Sequence, residues 1–600
     1  QMNKIRINIL LVLFSFSLFT AYSQQDKPVS NNNAPYGNIF HHTIERGQTV
    51  YSIATMYGVS EKDIYKLNPG SEESIKAGAV LIIPQKIASS KSDIQPDDIY
   101  TYHTIQPKET LYSLTVRYNI PANSIVDANP GLSVETFTIG KIIRIPPTSI
   151  DNLPTTEIKT ITKEIEYRVQ RRETMYSVCR KFNISSTELI KRNPALKNGM
   201  KTGMVIKIPV QAEETVVSTV EVPQERDINA LLSTPKSIAK VNTIKVALLL
   251  PFMANESVRT DTSLRFIEYY EGLLLAIDSL KNNGVSVSLS VFDTESGTKK
   301  TKEILKKEEL KEVNLIIGAV QNDQIALVAN FAKENNIKYV IPFTSRNDDV
   351  LSNASVFQVN TPHSYLYAKA AQVCTGMFSD CNIIFINTHD KDNKTDYIKT
   401  LKSELEQRSI SYLECNWDQE TFSTDIISRL DSTKRNVVIP YSGSLEALNK
   451  IRTPLRGIAD ANPMYGLTLY GYPEWQVYTK ECLDDFFALN TYIYSNFYAD
   501  NLTFELRDFH LKYRTWYSKT LINSFPKYGI LGFDTGMYFF TALNKYGSNF
   551  ENNLSKVKHS GLQTNFGFQR VNNWGGFINT QLFLVHYRSD FTITREDVKL

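Results

Sequence analysis

Between residues 40 and 209 the apolar positions follow one pattern three times over. Each round opens on a short stretch with a β-branched residue: His42-Thr43-Ile44, His103-Thr104-Ile105 and Tyr167-Arg168-Val169. A stripe at i, i+3, i+4 and i+7 follows, first Val50, Ile53, Ala54 and Tyr57, then Leu111, Leu114, Thr115 and Tyr118, then Met175, Val178, Cys179 and Phe182. That spacing predicts a helix with one buried face, and Thr49, Thr110 and Thr174 stand where its N-cap belongs. A second, shorter helix is announced by Ser60-x-x-Asp63 and Ser185-x-x-Glu188. It adds Ile64, Ile125 or Leu189 to the same core. It stops at Asn68-Pro69, Asn129-Pro130 and Asn193-Pro194, because a residue before proline avoids helical angles. Each round closes on Gly and a β-branched run: Gly78 to Pro84, Gly140 to Pro146, Gly203 to Pro209. The predicted unit is strand–helix–helix–strand, and a spacing kept through three copies marks a true repeat.

The pattern changes at Thr243. Ile244 to Phe252 is a near-continuous apolar run, as in a strand buried on both faces. Helices near 264–283, 298–310 and 322–335 then alternate with strands at Val285–Phe292, Val313–Gly318 and Tyr339–Phe343. The alternation restarts after Pro362, with strands expected at Asn382–Ile386, 410–415 and Val437–Tyr441. Two successive βα series predict two lobes with parallel sheets and a cleft between them. Near the end, Gly561–Phe566, Gly575–Phe577 and Gln581–Tyr587 read as closing strands.

Between these parts the chain is polar. Residues 24–40 form an Asn-rich leader, 85–101 and 147–166 separate the repeats, and 211–242 is a linker before the domain at 243–600. Such spacers are expected to let the modules move independently, which suits multivalent capture of a long polymer. Lys4 and Arg6 precede an apolar run from Ile9 to Phe19 and then Ala21-Tyr22-Ser23, the layout of a secretory signal peptide over residues 1–23. The run is shorter than the ~20 residues a membrane span needs. An exported protein of the periplasm or cell envelope is therefore expected, with no transmembrane segment after cleavage.

The three repeats resemble the LysM module, a βααβ unit that binds N-acetylglucosamine glycans such as peptidoglycan and chitin. The resemblance covers His42–Pro84, His103–Pro146 and Tyr167–Pro209, within modules bounded at 41–85, 102–147 and 166–210. It implies a shallow sugar groove between the loop leading into the first helix and the loop leaving the second. Those positions are Gly47, Gln48, Thr49, Pro69 and Gly70 in the first copy. They are Lys108, Glu109, Thr110, Pro130 and Gly131 in the second, and Arg172, Glu173, Thr174, Pro194 and Ala195 in the third. The family usually has Gly-Asp-Thr in the lead-in loop, and the first copy alone keeps the Gly, so the resemblance supports sugar binding best there.

Residues 243–590 are similar to type I periplasmic binding proteins of the branched-chain amino-acid receptor group. The similarity rests on Ile244 to Phe252, Glu271-Gly272 through Ala276-Ile277, Ile316 to Ala319, Ile341 to Ser345, and Gly532-Phe533-Asp534-Thr535-Gly536 leading into Tyr538 to Ala542. It implies ligand contacts from strand-end loops: Gln321 and Asn322, then Thr344 and Ser345. The same residue types also cap helices. Arg346-Asn347-Asp348-Asp349 replaces the small polar run usual in that family. The fold class expected is thus multidomain, three small α+β LysM modules followed by a two-lobed α/β domain.

Composition narrows the chemistry. The chain is 42% apolar and 22% charged, an ordinary globular balance, and its net charge of +3 gives no reason to expect nucleic acid as a partner. Cys179 fills the core position of Ala54 and Thr115, which predicts a packing role. Cys374, Cys381, Cys415 and Cys482 leave pairing open in an oxidising compartment. No zinc-ligand spacing and no Gly-rich phosphate loop is present, so no metal and no cofactor is expected. Asp348-Asp349 and Asp484-Asp485 are adjacent pairs that diverge on a regular element, unlike facing glycosidase carboxyls. Together with the two resemblances, these observations favour a non-enzymatic envelope protein, the LysM resemblance implying that its repeats bind peptidoglycan. Its two-lobed domain would bind a small ligand or partner protein, as scaffold, sensor or regulator of cell-wall synthesis. The alternatives are a substrate-binding receptor for transport of amino-acid-like molecules and a cell-wall hydrolase with an unrecognised site.

Overall fold

The computed structural model describes residues 38–85, 100–147, 157–171, 173–182, 184–216, 225–233, 240–391 and 394–598. The signal-peptide reading, the leader up to residue 37 and Arg172 lie outside them. The first module runs β1 (Asn38–Thr43), α1 (Val50–Tyr57), α2 (Glu61–Leu67) and β2 (Val80–Gln85). The second is β3 (Thr101–Thr104), α3 (Leu111–Tyr118), α4 (Ala122–Ala128) and β4 (Ile142–Ile145). The third is β5 (Glu157–Arg168), α5 (Met175–Phe182), α6 (Ser186–Arg192) and β6 (Val205–Val216). In each, the outer strands pair antiparallel and the two helices cover one face of the ribbon. Ile53, Ile64, Leu114, Ile125, Val178 and Leu189 are fully buried. Cys179 is half-buried, less enclosed than Ala54 at the same position.

The Asn of each Asn-Pro does more than stop a helix. The Asn129 amide donates to the Ile125 carbonyl at 2.7 Å and to the Arg144 carbonyl at 2.7 Å, and accepts from the Arg144 amide at 2.8 Å. Asn68 and Asn193 make the same three bonds, to Ile64 and Ile82 and to Leu189 and Lys207. One side chain thereby sews the second helix to the closing strand. Asn129 is fully buried, so Asn129→Ala strands backbone groups away from water and should destabilise by roughly 3 kcal/mol. Asn193→Ala, whose strand partners face solvent, should cost about 1 kcal/mol. Thermal unfolding of the two variants checks the difference.

Two boundaries differ from expectation. β5 and β6 pair over twelve residues each, from Glu157 opposite Val216 to Arg168 opposite Val205, so the third module takes in part of the spacer before it and of the linker after it. The linker also contains α7 (Glu225–Ala230), and Ile228 joins the core of the second module. Nor do the first two modules stand apart. Tyr102 of the second stacks on Phe40 at 5.4 Å and meets Tyr57 edge-on at 4.7 Å. Gln85 donates to the Tyr102 carbonyl at 3.0 Å and Thr104 to that of His41 at 3.1 Å.

The C-terminal part has the expected βα series. The first lobe begins with β7 (Ile244–Leu250), α8 (Asp261–Lys281), β8 (Val287–Asp293), α9 (Thr298–Ile304), β9 (Leu315–Gly318), α10 (Asn322–Glu334), β10 (Lys338–Ile341), α11 (Asp349–Ser352) and β11 (Val356–Gln358). The second holds α12 (His363–Met377), β12 (Asn382–Asn387), α13 (Thr395–Gln407), β13 (Tyr412–Asn416), α14 (Phe422–Ile427), β14 (Asn436–Pro440), α15 (Leu445–Ala461), β15 (Leu467–Gly471), α16 (Thr479–Ala488) and β16 (Tyr492–Ser495). The chain then returns to the first lobe with α17 (Phe504–Tyr517), α18 (Tyr528–Tyr546), β17 (Phe568–Arg570) and β18 (Phe577–Asn579). It ends in the second with β19 (Phe583–Tyr587) and β20 (Ile593–Asp597).

The sheet orders are β17-β18-β11-β10-β9-β7-β8 and β13-β12-β14-β15-β16-β19-β20. The five strands of each βα series are parallel, and the late hairpin strands add antiparallel pairing at one edge. Three crossings join the lobes, after β11, β16 and β18. Along β7, Val246, Leu248 and Leu250 face one helical layer while Ala247 and Leu249 face the other, which is why that strand reads as continuously apolar. Gly561–Phe566 is not a strand. It is a loop whose Leu562, Gln563 and Thr564 amides donate to the Asp534 carboxylate at 2.7, 2.8 and 2.9 Å. Full burial pushes that carboxyl up to about 7 in spite of its three donors. All five cysteines are free thiols, Cys374, Cys381, Cys415 and Cys482 being buried. Among the described residues no helix is long and apolar enough to cross a membrane.

Candidate functional site

Each LysM lead-in loop is a tight turn braced from inside. In the first module Gln48 is buried, and its carbonyl oxygen lies 2.7 Å from His42 Nε2 and accepts from the Glu45 amide at 2.8 Å. Tyr57 meets His42 Nδ1 from the other side at 2.8 Å. Glu109 does the same work in the second module, 2.6 Å from His103 and accepting from the Gln106 amide at 2.8 Å. Against partial burial, that amide and His103 hold its carboxyl below the usual range. In the third, Glu173 accepts from Tyr167 and the Gln170 amide, each at 2.8 Å. The middle loop residue is therefore turned inward in all three copies. Thr49, Thr110 and Thr174 are likewise engaged as helix caps, each bonded to the amide of Ser52, Ser113 or Ser177. What the loops present outward is mostly backbone. Gly47 has φ +88°, and the second module puts Lys108 at the equivalent position with φ +69°, a left-handed conformation that costs a non-glycine residue about 1 kcal/mol.

The surroundings of the three grooves differ. Pro69 and Gly70 are exposed, but Gly47 lies against Tyr365 of α12. Gly131 lies against Arg570 of β17, and its amide donates to the Asn573 carbonyl at 2.8 Å. In the third module Thr174, Pro194 and Ala195 are exposed, and every described residue of its apolar cluster belongs to the module itself.

At the lobe boundary, charged groups gather on strand-end loops. Lys394 pairs with Glu474 at 2.6 Å on the second lobe. Gly443 lets Glu474 lie flat against the loop after β14, since a Cβ there would meet the Glu474 carboxylate and the Lys394 stem. Trp475, fully buried, fixes that loop by donating from Nε1 to the Gly443 carbonyl at 3.1 Å and by stacking on Phe486 at 5.7 Å. Arg346, after β10, brings a cation from the first lobe. Partial burial and the charges of Lys394 and Arg346 lower the proton affinity of His363 at the start of α12, while Glu474 opposes them. Among the described residues the boundary thus carries cations from both lobes and the Glu474 carboxylate, a set suited to a small zwitterion. Sequence reasoning missed Lys394, Gly443 and Glu474, because their local patterns carry no motif. Arg346 was visible only as a departure from the family's small polar run.

The four expected cleft residues sit just after β9 and β10, two strands paired in parallel. Gln321 accepts from the Gly297 amide at 3.1 Å and ties two loops. Asn322 lines a shallow depression with Arg346, Asp348 and Thr55 of the first module. Thr344 accepts from the Arg346 amide at 3.0 Å and so shapes the turn that carries that arginine. Ser345 is half-buried beside it. The adjacent carboxylates diverge: Asp348 accepts from Tyr51 at 2.5 Å while Asp349 turns to Asn347 at 2.8 Å. Among the described residues no cluster of His, Cys, Asp and Glu could hold a metal ion.

Residues 42–84, 103–146 and 167–209 match the LysM domain family. LysM domains bind N-acetylglucosamine glycans, and three of them associate the chain with the cell envelope, outside the cytoplasm. A curated relative is YdhD of Bacillus subtilis (strain 168), provisionally named a sporulation-specific glycosylase. It is 31% identical over 111 residues, which are 18% of this chain and 23% of the relative, so the chain spans about a quarter of that protein's length. Solved structures similar to the C-terminal part include an ABC transporter substrate-binding protein of Desulfitobacterium hafniense in complex with Leu. It is 15% identical and covers 59% of this chain and 99% of its own, with a TM-score of 0.35. The Streptococcus pneumoniae protein LivJ in complex with isoleucine is also 15% identical, covering 60% and 100%, with a TM-score of 0.35. A branched-chain amino-acid transporter structure from Rhodopseudomonas palustris is 12% identical, covering 59% and 96%, with a TM-score of 0.40.

Proposed function

We propose that this chain is a wall-tethered, non-enzymatic receptor. LysM repeats hold it to envelope glycan, and the two-lobed domain takes a small amino-acid-like ligand at the lobe boundary. The observation that carries the ligand class is the charge set there: Arg346 of the first lobe and the Lys394–Glu474 pair of the second all bear on His363. A ligand carboxylate has two cations to meet, and its ammonium has Glu474. A transport receptor is the reading this favours over a scaffold for a partner protein, because opposed charges at a lobe boundary suit a small ion that both lobes grip.

Thermal unfolding of the full-length protein against amino acids, nucleosides and muropeptides tests it. A ligand of the right class at ~100 times its dissociation constant should add about 2.7 kcal/mol of stability, and Arg346→Ala should remove the shift. A shift that survives Arg346→Ala, or one given by nucleosides alone, would overturn the assignment.

A further inference from the structure

We infer that the first two LysM modules have their own chain as partner, and that the loops expected to hold sugar in them are docking surfaces for the two-lobed domain. The hairpin between β17 and β18 supplies the main anchor. Its loop sends Trp574 into the seam of the two modules, where the indole is 3% exposed and lies 6.0 Å from the Tyr57 ring and 5.5 Å from that of Tyr102. The Arg144 guanidinium covers it at 4.9 Å. Beside it Asn573 bonds the second module twice, accepting from the Gly131 amide at 2.8 Å and donating to the Ile142 carbonyl at 3.0 Å. A Cβ on Gly131 would lie 2.5 Å from Arg570 Cδ.

The first module is held at its lead-in loop and first helix. A Cβ on Gly47 would come within 2.7 Å of Tyr365 Cδ1 and 2.9 Å of Tyr365 Cα. Arg46 reaches Glu404 of α13 at 3.4 Å, and Tyr51 donates to Asp348. A buried aromatic, a backbone pair and peripheral polar contacts are the anatomy of a specific interface. Gly47 and Gly131 are groove positions, so a sugar seated on either would overlap Tyr365 or Arg570. The third module, with Thr174, Pro194 and Ala195 exposed, is left as the open grip.

The inference deepens the glycan reading and rests on it for its functional half alone. Titration calorimetry of the full chain with a chitin pentasaccharide should give one site per chain, rising to two or more in Trp574→Ala. Two or three sites in the unaltered protein, or an unchanged count in the variant, would overturn the occlusion. Hydrogen exchange judges the docking without sugar. The Gly131 amide should be protected in the unaltered chain and exchange at least tenfold faster in Trp574→Ala, and rapid exchange in the unaltered chain would overturn the docking. Should Trp574→Ala misfold, Asn573→Ala replaces it, since it removes the bond to the Ile142 carbonyl and leaves both groove glycines untouched. Protection at Gly131 with no pentasaccharide bound by either protein would uphold the docking and refute the glycan reading instead.

Discussion

Gly272→Val should leave the C-terminal domain unable to reach its native packing, with a loss of about 4 kcal/mol or more. α8 and α18 approach backbone to backbone. A Cβ on Gly272 would overlap the carbonyl oxygen of Gly529, one on Gly532 would overlap that of Tyr269, and one on Gly536 would lie 2.7 Å from the Ala276 Cβ. No rotamer change relieves a clash with backbone, so the helices must part and leave Tyr269, Leu273, Leu531 and Phe539 underpacked in the first-lobe core. Overpacking that forces a backbone shift belongs to the few mechanisms giving such losses. Gly457 in α15 is the control, because nothing lies within 4 Å of its added Cβ. Gly457→Ala should stabilise by up to about 1 kcal/mol through helix propensity. Calorimetry of the full-length variants checks both, with opposite signs expected.

Trp475→Ala should damage both the second lobe and its ligand response. The indole is fully buried, stacks on Phe486 and fills the space over Gly471, where a Cβ would strike its six-membered ring. Removing such a side chain costs roughly 3–5 kcal/mol. It also releases the loop that presents Glu474, so stabilisation by amino acids should disappear even at temperatures where the variant is folded. Trp475→Phe keeps most of the packing and loses the bond to Gly443, which should cost about 1 kcal/mol and leave the ligand response largely intact. Equal loss of response in both variants would show that the indole bond, rather than loop position, is what matters.

The parts of this protein visible in its sequence are those whose causes are local. Thr49 and Ser52 cap one another within a single turn, and three copies of that turn make the modules legible in the sequence. The βα series was readable because a strand buried on two faces shows an apolar run. The Gly272 and Gly532 motifs carry a family resemblance, yet their reason is a contact between two helices distant in sequence. Gly47 shows the limit most clearly. Its lack of a side chain pointed to a sugar loop, and the same lack is what lets Tyr365 pack there. Trp574 stands between glycine and asparagine in a loop with no periodicity, so nothing in its neighbourhood foretold Tyr57 and Tyr102 as neighbours. The composition of Gly561–Phe566 allows a strand, whereas its amides are spent on Asp534.

The first module touches both lobes, Asp348 on one through Tyr51 and Glu404 on the other through Arg46. Any rotation of lobe against lobe must therefore be absorbed at a surface that includes Asp348, two residues from Arg346. If the docked state favours one lobe angle, the cleft's apparent affinity drops tenfold for every ~1.4 kcal/mol of that preference. Substitutions at Tyr51 or Arg46 would then retune the proposed ligand binding, and the module would act as a set-point for the two lobes.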